Sequence, residues 1–298
     1  MAFLLDAIHE DLNRNRGQRS ECKAPQSFHS EDSCCEEHLA AQAWCLHLQQ
    51  HRSVVIDLCQ GQLRSQVQCC ECGCASITFD PFLFLSLPMP SHVSRGRRVH
   101  IEEAIKAFCV EEKLAGDDSW GCPRCDRRVS ASKRLSLWKL PLLLFVHLKR
   151  FGFEARTWGI PTWKIEGEVG LPSERLDLQD FVPKMSTDLQ YDLFAAVDHV
   201  GSSPFSGHYT ASCRRADGWW RFDDSRTEYL GRAGCEATDR KVIGSWNYLL
   251  MFQRRDGPAD PEKVPEQSHR HPELWPHVLP DGTREWSFLK SSTSGHRT

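Results

Sequence analysis

The sequence predicts an α+β protein in which short strands dominate. Three observations lead there: apolar residues recur at helical spacing near the N-terminus and around residue 105, β-rich runs fill the middle and last thirds, and two Cys-x-x-Cys pairs sit in the strand-rich middle. A period of 3.6 marks helices, and β-branched or aromatic runs bounded by turn residues mark strands.

From the start, residues 2–14 set Leu4, Ile8 and Leu12 at four-residue steps along one helical face, with Asp6, Glu10, Asp11 and Arg14 left for solvent. Arg16 to Asp32 is polar and reads as a flexible insert. Ser33-x-x-Glu36 is a capping box that opens a second helix running to about Gln50. Strands are expected at Val54–Ile56, Ser76–Phe79, Phe82–Leu87 and Leu142–Phe151. A third helix, Ile101 to Leu114, carries Ile101, Ala104, Ile105 and Phe108 as a buried stripe. Further strands follow at Tyr191–Val200, Tyr209–Arg214, Gly218–Phe222 and Asn247–Gln253. Residues 255–298 are polar, with isolated Trp275 and Trp286 and no period, and read as a disordered tail. There is no internal repeat.

Composition narrows the function. A chain of 298 residues with 40% hydrophobic and 26% charged residues has the balance of a globular protein. A net charge of -3 leaves no cationic excess for a phosphate backbone, so protein is the expected partner and nucleic acid is not. The start at Met1 lacks a basic n-region, and the longest apolar run, Leu140–Leu148, is broken by Pro141 and His147. That run falls far short of the roughly 20 residues of a membrane span. An intracellular protein of cytoplasm or nucleus is expected, and there fourteen cysteines point to metal rather than disulfides.

Cys69-x-x-Cys72 and Cys122-x-x-Cys125 are separated by 49 residues and have the form of two knuckles whose thiolates reach one tetrahedral ion. Buried free thiols are the plain alternative, and Cys70 and Cys74 could each replace a neighbour as ligand. Four protein ligands leave no position for a substrate water, so one structural Zn2+ is expected, holding a β-lobe with too little core of its own.

A second constellation is Gly207-His208-Tyr209-Thr210-Ala211 followed by Trp219 to Ser225. Between them, Arg214 to Gly218 ends in Asp-Gly, a hairpin turn. The midpoint of His208 and Asp223 falls inside that turn, so the two should face each other across adjacent strands. The carboxylate would accept a hydrogen bond from the imidazole Nδ1–H and fix its tautomer, the base and orienter of a nucleophilic triad. Asp224 would point to the other face.

These strings, together with Leu140-Pro141-x5-His147-Leu148-Lys149-Arg150-Phe151, Tyr191-Asp192-Leu193, Gln60-Gly61-Gln62-Leu63, Phe79-Asp80-Pro81-Phe82 and Asn247-Tyr248-Leu249-Leu250, resemble the blocks of the ubiquitin-specific proteases in order, over about residues 2–254. The resemblance implies a papain-like cysteine-protease hand of thumb, palm and zinc-bearing fingers, with fingers at about 60–135 and palm at 136–254. It also implies a monomeric deubiquitinase that grips ubiquitin and hydrolyses isopeptide bonds at its C-terminal glycine. His208 would be the general base, Asp223 its orienter and Asp224 an auxiliary. Glu154–Trp163 and Asp198–Gly207 match the loops that border the channel for ubiquitin's tail.

One departure stands out. The family's nucleophile lies in an Asn-x-Gly-Asn-Thr-Cys-like string upstream of the region that Met1–Arg14 resembles, and no such string occurs here. Cys22, Cys34, Cys35, Cys45, Cys59, Cys109, Cys213 and Cys235 lack its flanking pattern. The expectation is an incomplete thumb and no hydrolysis by this chain alone. Two other readings are a non-catalytic ubiquitin-binding pseudoprotease and a zinc-dependent nucleic-acid binder using Ser94–Arg98, Arg124, Arg127 and Arg128.

Overall fold

The computed structural model describes residues 1–16, 28–29, 36–89, 98–153, 161–165, 167–170, 175–183, 189–203, 206–255, 276–278 and 284–286. Chain contacts separate Met1–Arg255 from Asp256–Thr298.

The helices show where side-chain contacts overrule pattern. The first, α1 (Ala2–Leu12), forms as expected but turns its apolar face outward: Leu4 is 57% and Leu12 49% exposed, while His9 is buried. Leu5 alone among its leucines packs inward, against the cluster around Val55 and Cys59. The second, α2 (Glu36–Gln50), starts with Glu36 and Glu37 in its first turn, where the helix dipole favours negative charge. Ser33 lies outside the described residues. Within the expected insert, Phe28–His29 (β1) pairs with Ile77 and Ser76, so that piece is strand.

Val54–Ile56 is not a strand. Ser53 accepts a hydrogen bond from the Ile56 N–H at 3.4 Å and starts α3 (Val54–Cys59), whose Val55, Ile56 and Cys59 are buried. An N-cap with a buried face outweighs the mild β preference of two valines. Next, α4 (Ile101–Phe108) buries Ile101, Ala104 and Ile105 but stops at Phe108 rather than Leu114. Its expected last turn is instead β6 (Glu112–Leu114), drawn into an edge pairing with residues 131–133. A short α5 (Glu236–Val242) lies in a stretch the strand pattern did not mark.

Two sheets organise residues 1–255. In the first, β2 (Gly61–Cys69), β3 (Ala75–Phe82) and β9 (Ala131–Lys139) join β1 and β6 in the order β1-β3-β2-β9-β6, antiparallel throughout. The register sets Gly61 against Phe82 and Cys69 against Ala131. The second sheet contains β4 (Phe84–Pro88), β10 (Leu143–Lys149), β15 (Gln190–Ser203), β16 (Ser206–Arg215), β17 (Gly218–Asp223), β18 (Arg226–Gly231) and β19 (Asn247–Arg254). Its order is β18-β17-β16-β15-β19-β10-β4, with Leu176–Asp177 added beside β15. Only β4 runs parallel to its neighbour there. The expected strand Phe82–Leu87 is split at Leu83, its halves belonging to different sheets.

The main core lies on this second sheet, where Leu85, Leu87, Leu144, Val146, Leu148 and Leu250 meet Ile101 and Ile105 of α4. Two polar side chains are buried with it. Tyr191 donates to the Pro141 carbonyl at 2.6 Å. Arg150 donates to the carbonyls of Asn247, Ile165 and Gly167, and burial pulls its guanidinium down to about 10.

In Asp256–Thr298 the described residues form one antiparallel pair, Pro276–Val278 with Arg284–Trp286, where the sequence shows no period. Trp275 lies outside the described residues.

Candidate functional site

The β16–β17 hairpin is tighter than its sequence midpoint suggests. Arg215 closes on Gly218, so Ala216 and Asp217 form a two-residue turn and the ladder runs to Ala211 against Phe222. Extending it by one pair sets Asp223 opposite Thr210, which makes His208 a diagonal neighbour on the same face rather than the direct partner. A diagonal pair is within reach of long side chains. His208 Nε2 and Asp223 Oδ1 lie 2.5 Å apart. The nitrogen engaged is Nε2, not the expected Nδ1, so Nδ1 is the ring nitrogen turned from the carboxylate. The side chains are 49% and 43% exposed. The hydrogen bond and then the charge of Asp223 hold the imidazole above its ordinary range, with Asp224 adding to the effect.

Asp224 is also placed differently from the expectation. Asp223 pairs with Arg226, leaving Asp224–Ser225 as a two-residue turn into β18, and Asp224 has φ 48. A left-handed residue starts the primed turns that match strand twist, and Asp tolerates it better than most. The turn interrupts the alternation of faces. The ligand atoms of His208, Asp223 and Asp224 therefore all lie within 4.8 Å of one another.

Beside this group, on β15, sits His199, which sequence reasoning missed. Its ring is buried, contacts Tyr209 at 4.7 Å between centroids, and receives Lys164 Nζ at 3.2 Å. Desolvation and then the lysine charge hold it below the usual histidine range. A Cβ on Gly207 would come within 2.2 Å of His199 Nε2, so residue 207 has to be glycine for β16 to lie where it does. The glycine before His208 was the one available signal. Next to it, Asp198 is buried and accepts from Asn247 Nδ2 at 2.6 Å. Asp198–Gly207, expected as a channel loop, is largely β15 and β16 running through a bulged hairpin. Glu154–Ile160 lies outside the described residues, and 161–164 is a strand paired with 151–153.

The cysteine pairs meet at the far end of the first sheet. Cys72 Sγ lies 3.6 Å from Cys122 Sγ, and Cys69 Sγ 3.9 Å from Cys125 Sγ. A tetrahedral zinc with Zn–S bonds of about 2.3 Å has S···S edges of about 3.8 Å. The four sulfurs are therefore already at ligand spacing. Each knuckle is built by its backbone: the Cys72 N–H donates to Cys69 Sγ and the Cys125 N–H to Cys122 Sγ, both at 3.4 Å. Gly73, at φ 71, turns the first knuckle back so that the Cys69 N–H reaches the Cys74 carbonyl. Cys70 is exposed, and Cys74, though buried, is not in the four-sulfur group.

The thiols also disagree electrically. Backbone donation from Cys72, the largest effect, brings Cys69 down to about 7. Its neighbour Cys125 is pushed up to about 12, chiefly by its hydrogen bond with Cys72. Thiols this close oppose one another's ionisation, and a dication is what lets all ionise together.

Among the described residues the hydrogen-bond partner of His208 is Asp223. Cys213, on the same strand, is held high by burial; Cys59 is buried and pushed up to about 12; Cys45 lies in α2, Cys109 caps α4 and Cys235 precedes α5. Cys22, Cys34 and Cys35 lie outside the described residues. The basic candidates are occupied locally: Arg98 pairs with Glu168, Arg127 with Glu71, and Arg128 donates to the Asp117 carbonyl. Residues 94–97 lie outside the described residues.

The family model for ubiquitin carboxyl-terminal hydrolase matches residues 1–252. The chain belongs to that family. It is 34% identical over 256 residues to ubiquitin carboxyl-terminal hydrolase 2 of Gallus gallus, covering 85% of this chain and 66% of that protein. It is 30% identical over 269 residues to ubiquitin carboxyl-terminal hydrolase 21 of Rattus norvegicus, covering 87% and 45%. The chain thus spans about half the length of several curated relatives it matches. Among solved structures it resembles the SAGA DUB module Ubp8/Sgf11/Sus1/Sgf73 bound to monoubiquitin, with TM-score 0.55 and 26% identity over 73% of this chain and 46% of that one. The fold of this ubiquitin carboxyl-terminal hydrolase member is the papain-like one of the ubiquitin-specific proteases.

Proposed function

We propose that this chain carries the ubiquitin-gripping body and the imidazole–carboxylate half of a cysteine-type deubiquitinase, one that hydrolyses isopeptide bonds at the C-terminal glycine of ubiquitin. The observation that carries the reading is the His208–Asp223 pair at 2.5 Å at the ends of adjacent strands β16 and β17, in a chain of this family. His208 is the general base that takes a thiol proton, Asp223 holds its ring, and Asp224 adds negative charge beside the imidazolium that forms. One Zn2+ on Cys69, Cys72, Cys122 and Cys125 ties the tip of the fingers, about residues 60–135, and residues 136–254 make the palm.

Ubiquitin and ubiquitinated proteins are the partners, bound by a monomer in cytoplasm or nucleus; among the described residues no helix is long and apolar enough to cross a membrane. A second reading is that residues 1–298 alone bind ubiquitin without turnover, as a pseudoprotease does; what supports it is that among the described residues no cysteine is hydrogen-bonded to His208.

Two measurements test this. Ubiquitin binding by the zinc-loaded chain, read by heat or by chemical shift, is expected in the weak range, and its absence overturns the family function for this chain. A ubiquitin C-terminal electrophile is expected to form no adduct, and an adduct blocked by prior alkylation overturns the inactive reading while leaving the first intact.

A further inference from the structure

We propose a second metal site, independent of the thiolate centre, in which His9, Glu10 and His51 hold one zinc dication that staples α1 to the segment following α2.

The ligand atoms of the three side chains lie within 4.8 Å of one another. His9 Nε2 and His51 Nδ1 face each other at 3.2 Å, and His9 Nε2 lies 3.9 Å from Glu10 Oε1. Two imidazole nitrogens bound to one tetrahedral zinc at about 2.05 Å stand about 3.3 Å apart. The nitrogen pair is thus already at the spacing of one coordination edge, and the carboxylate needs a small rotamer change to complete a face. Glu10 is the exposed member, with its side chain 51% accessible, so the fourth position opens to water. Two imidazoles and a carboxylate are a borderline donor set suited to zinc and unsuited to calcium or magnesium.

The surroundings orient these donors as a metal site requires. Ser53 Oγ lies 2.8 Å from His9 Nδ1 and is itself fully buried. With the ion bound, His9 keeps its proton on Nδ1, donates it to Ser53 Oγ and offers Nε2 to the metal. Without the ion, His51 Nδ1–H donates to His9 Nε2; with the dication in that place His51 stays neutral and carries its one proton on Nε2. His47 stacks on the His51 ring at 4.9 Å, while its own Nε2 is committed to Gln60 Oε1 at 2.6 Å, which makes it a support and not a ligand.

The backbone holds the two sides in register. Arg14 N–H donates to the Arg52 carbonyl at 2.8 Å, Asn13 Nδ2 to the Gln50 carbonyl at 3.0 Å, Asn15 Nδ2 to the Leu48 carbonyl at 2.8 Å, and Arg52 N–H to Asn13 Oδ1 at 3.0 Å. These four straps fix His9 and His51 across a separation of 42 residues. His9 shares the inward face of α1 with Leu5, one turn earlier, while Leu4 and Leu12 face outward.

The test uses the full chain with its thiolate centre already filled by one equivalent of zinc and excess metal removed. Titration with further zinc is expected to show one additional, weaker equivalent. The double variant Glu10→Gln with His51→Asn is expected to lose that equivalent while keeping the first and its thermal midpoint. No additional equivalent in the wild-type chain, or one unchanged in the variant, overturns the site. Should the variant misfold, cobalt titration of the wild-type chain decides: the imidazole resonances of His9 and His51 are expected to broaden before those of other histidines, and broadening that begins elsewhere overturns the proposal.

Discussion

The sulfur-bearing end of the first sheet and the middle of the second are both held shut, but by different forces. Around the four cysteines the buried company is Cys74 and Val129, with Trp120 packed against them. In the second sheet Leu144, Val146, Leu148 and Leu250 are fully buried, stacked against α4. One end has little apolar area to offset its conformational entropy and, under the proposed zinc assignment, relies on an ion; the other relies on burial. A lobe that needs a metal can therefore open without the sheet beneath it opening.

The largest effect expected is at the metal end. Cys69→Ser with Cys122→Ser removes ligands from both knuckles and with them the metal-linked folding free energy, on the order of 10 kcal/mol in small zinc domains. Hydrogen exchange should show protection lost over residues 61–82 and 112–139 and kept over 143–149 and 247–254; loss across both would mean that the two regions do not open separately.

The converse experiment is Leu250→Ala, at a fully buried position. It should cost about 2–5 kcal/mol, lower the global denaturation midpoint, and leave zinc stoichiometry at the thiolates unchanged. Tyr191→Phe sharpens the contrast further. It removes one buried hydrogen bond, to the Pro141 carbonyl, for about 1 kcal/mol in equilibrium unfolding.

The smallest effect is at the half-exposed His208–Asp223 pair. Asp223→Asn should return His208 toward the ordinary histidine range, read as an imidazole titration by NMR. The sign follows from the raised folded value: what protonation adds to stability is full below the unfolded pKa near 6.5 and fades as pH rises through the folded value. Both side chains are half in solvent, so the titration should move more than the melting temperature.

Much of this arrangement was legible in the chain. The two knuckles could be read from spacing alone, because a thiolate pair needs a tight turn and Gly73 and Pro123 mark one. Strands β10, β15, β16, β17 and β19 announced themselves through β-branched and aromatic runs. Two of the misreadings share a feature. Val54–Ile56 became helix with the hydroxyl of Ser53 at its start, and α1 faces inward with His9 and Leu5, His9 bonding to that same hydroxyl. In each a polar contact from a residue outside the periodic pattern accompanies the outcome, and period counting is blind to such contacts. The hairpin register failed differently. The sequence midpoint was one position early, since Ala216–Asp217 forms the turn, and a two-residue loop is not distinguishable by composition from one slightly displaced. Asp224 was misplaced separately, because Asp224–Ser225 forms the next turn and alternation of faces ends where a turn begins.

The contact between Gly207 and His199 acts as a mechanical stop. With no room for even one methyl group above the buried ring, every replacement at 207 must lift this stretch of backbone, and the neighbouring imidazole travels with it. A shift of about an ångström is enough to cost roughly a hundredfold in positioned chemistry. The histidine's location is thus set less by its own side-chain contacts than by the absence of a side chain beside it.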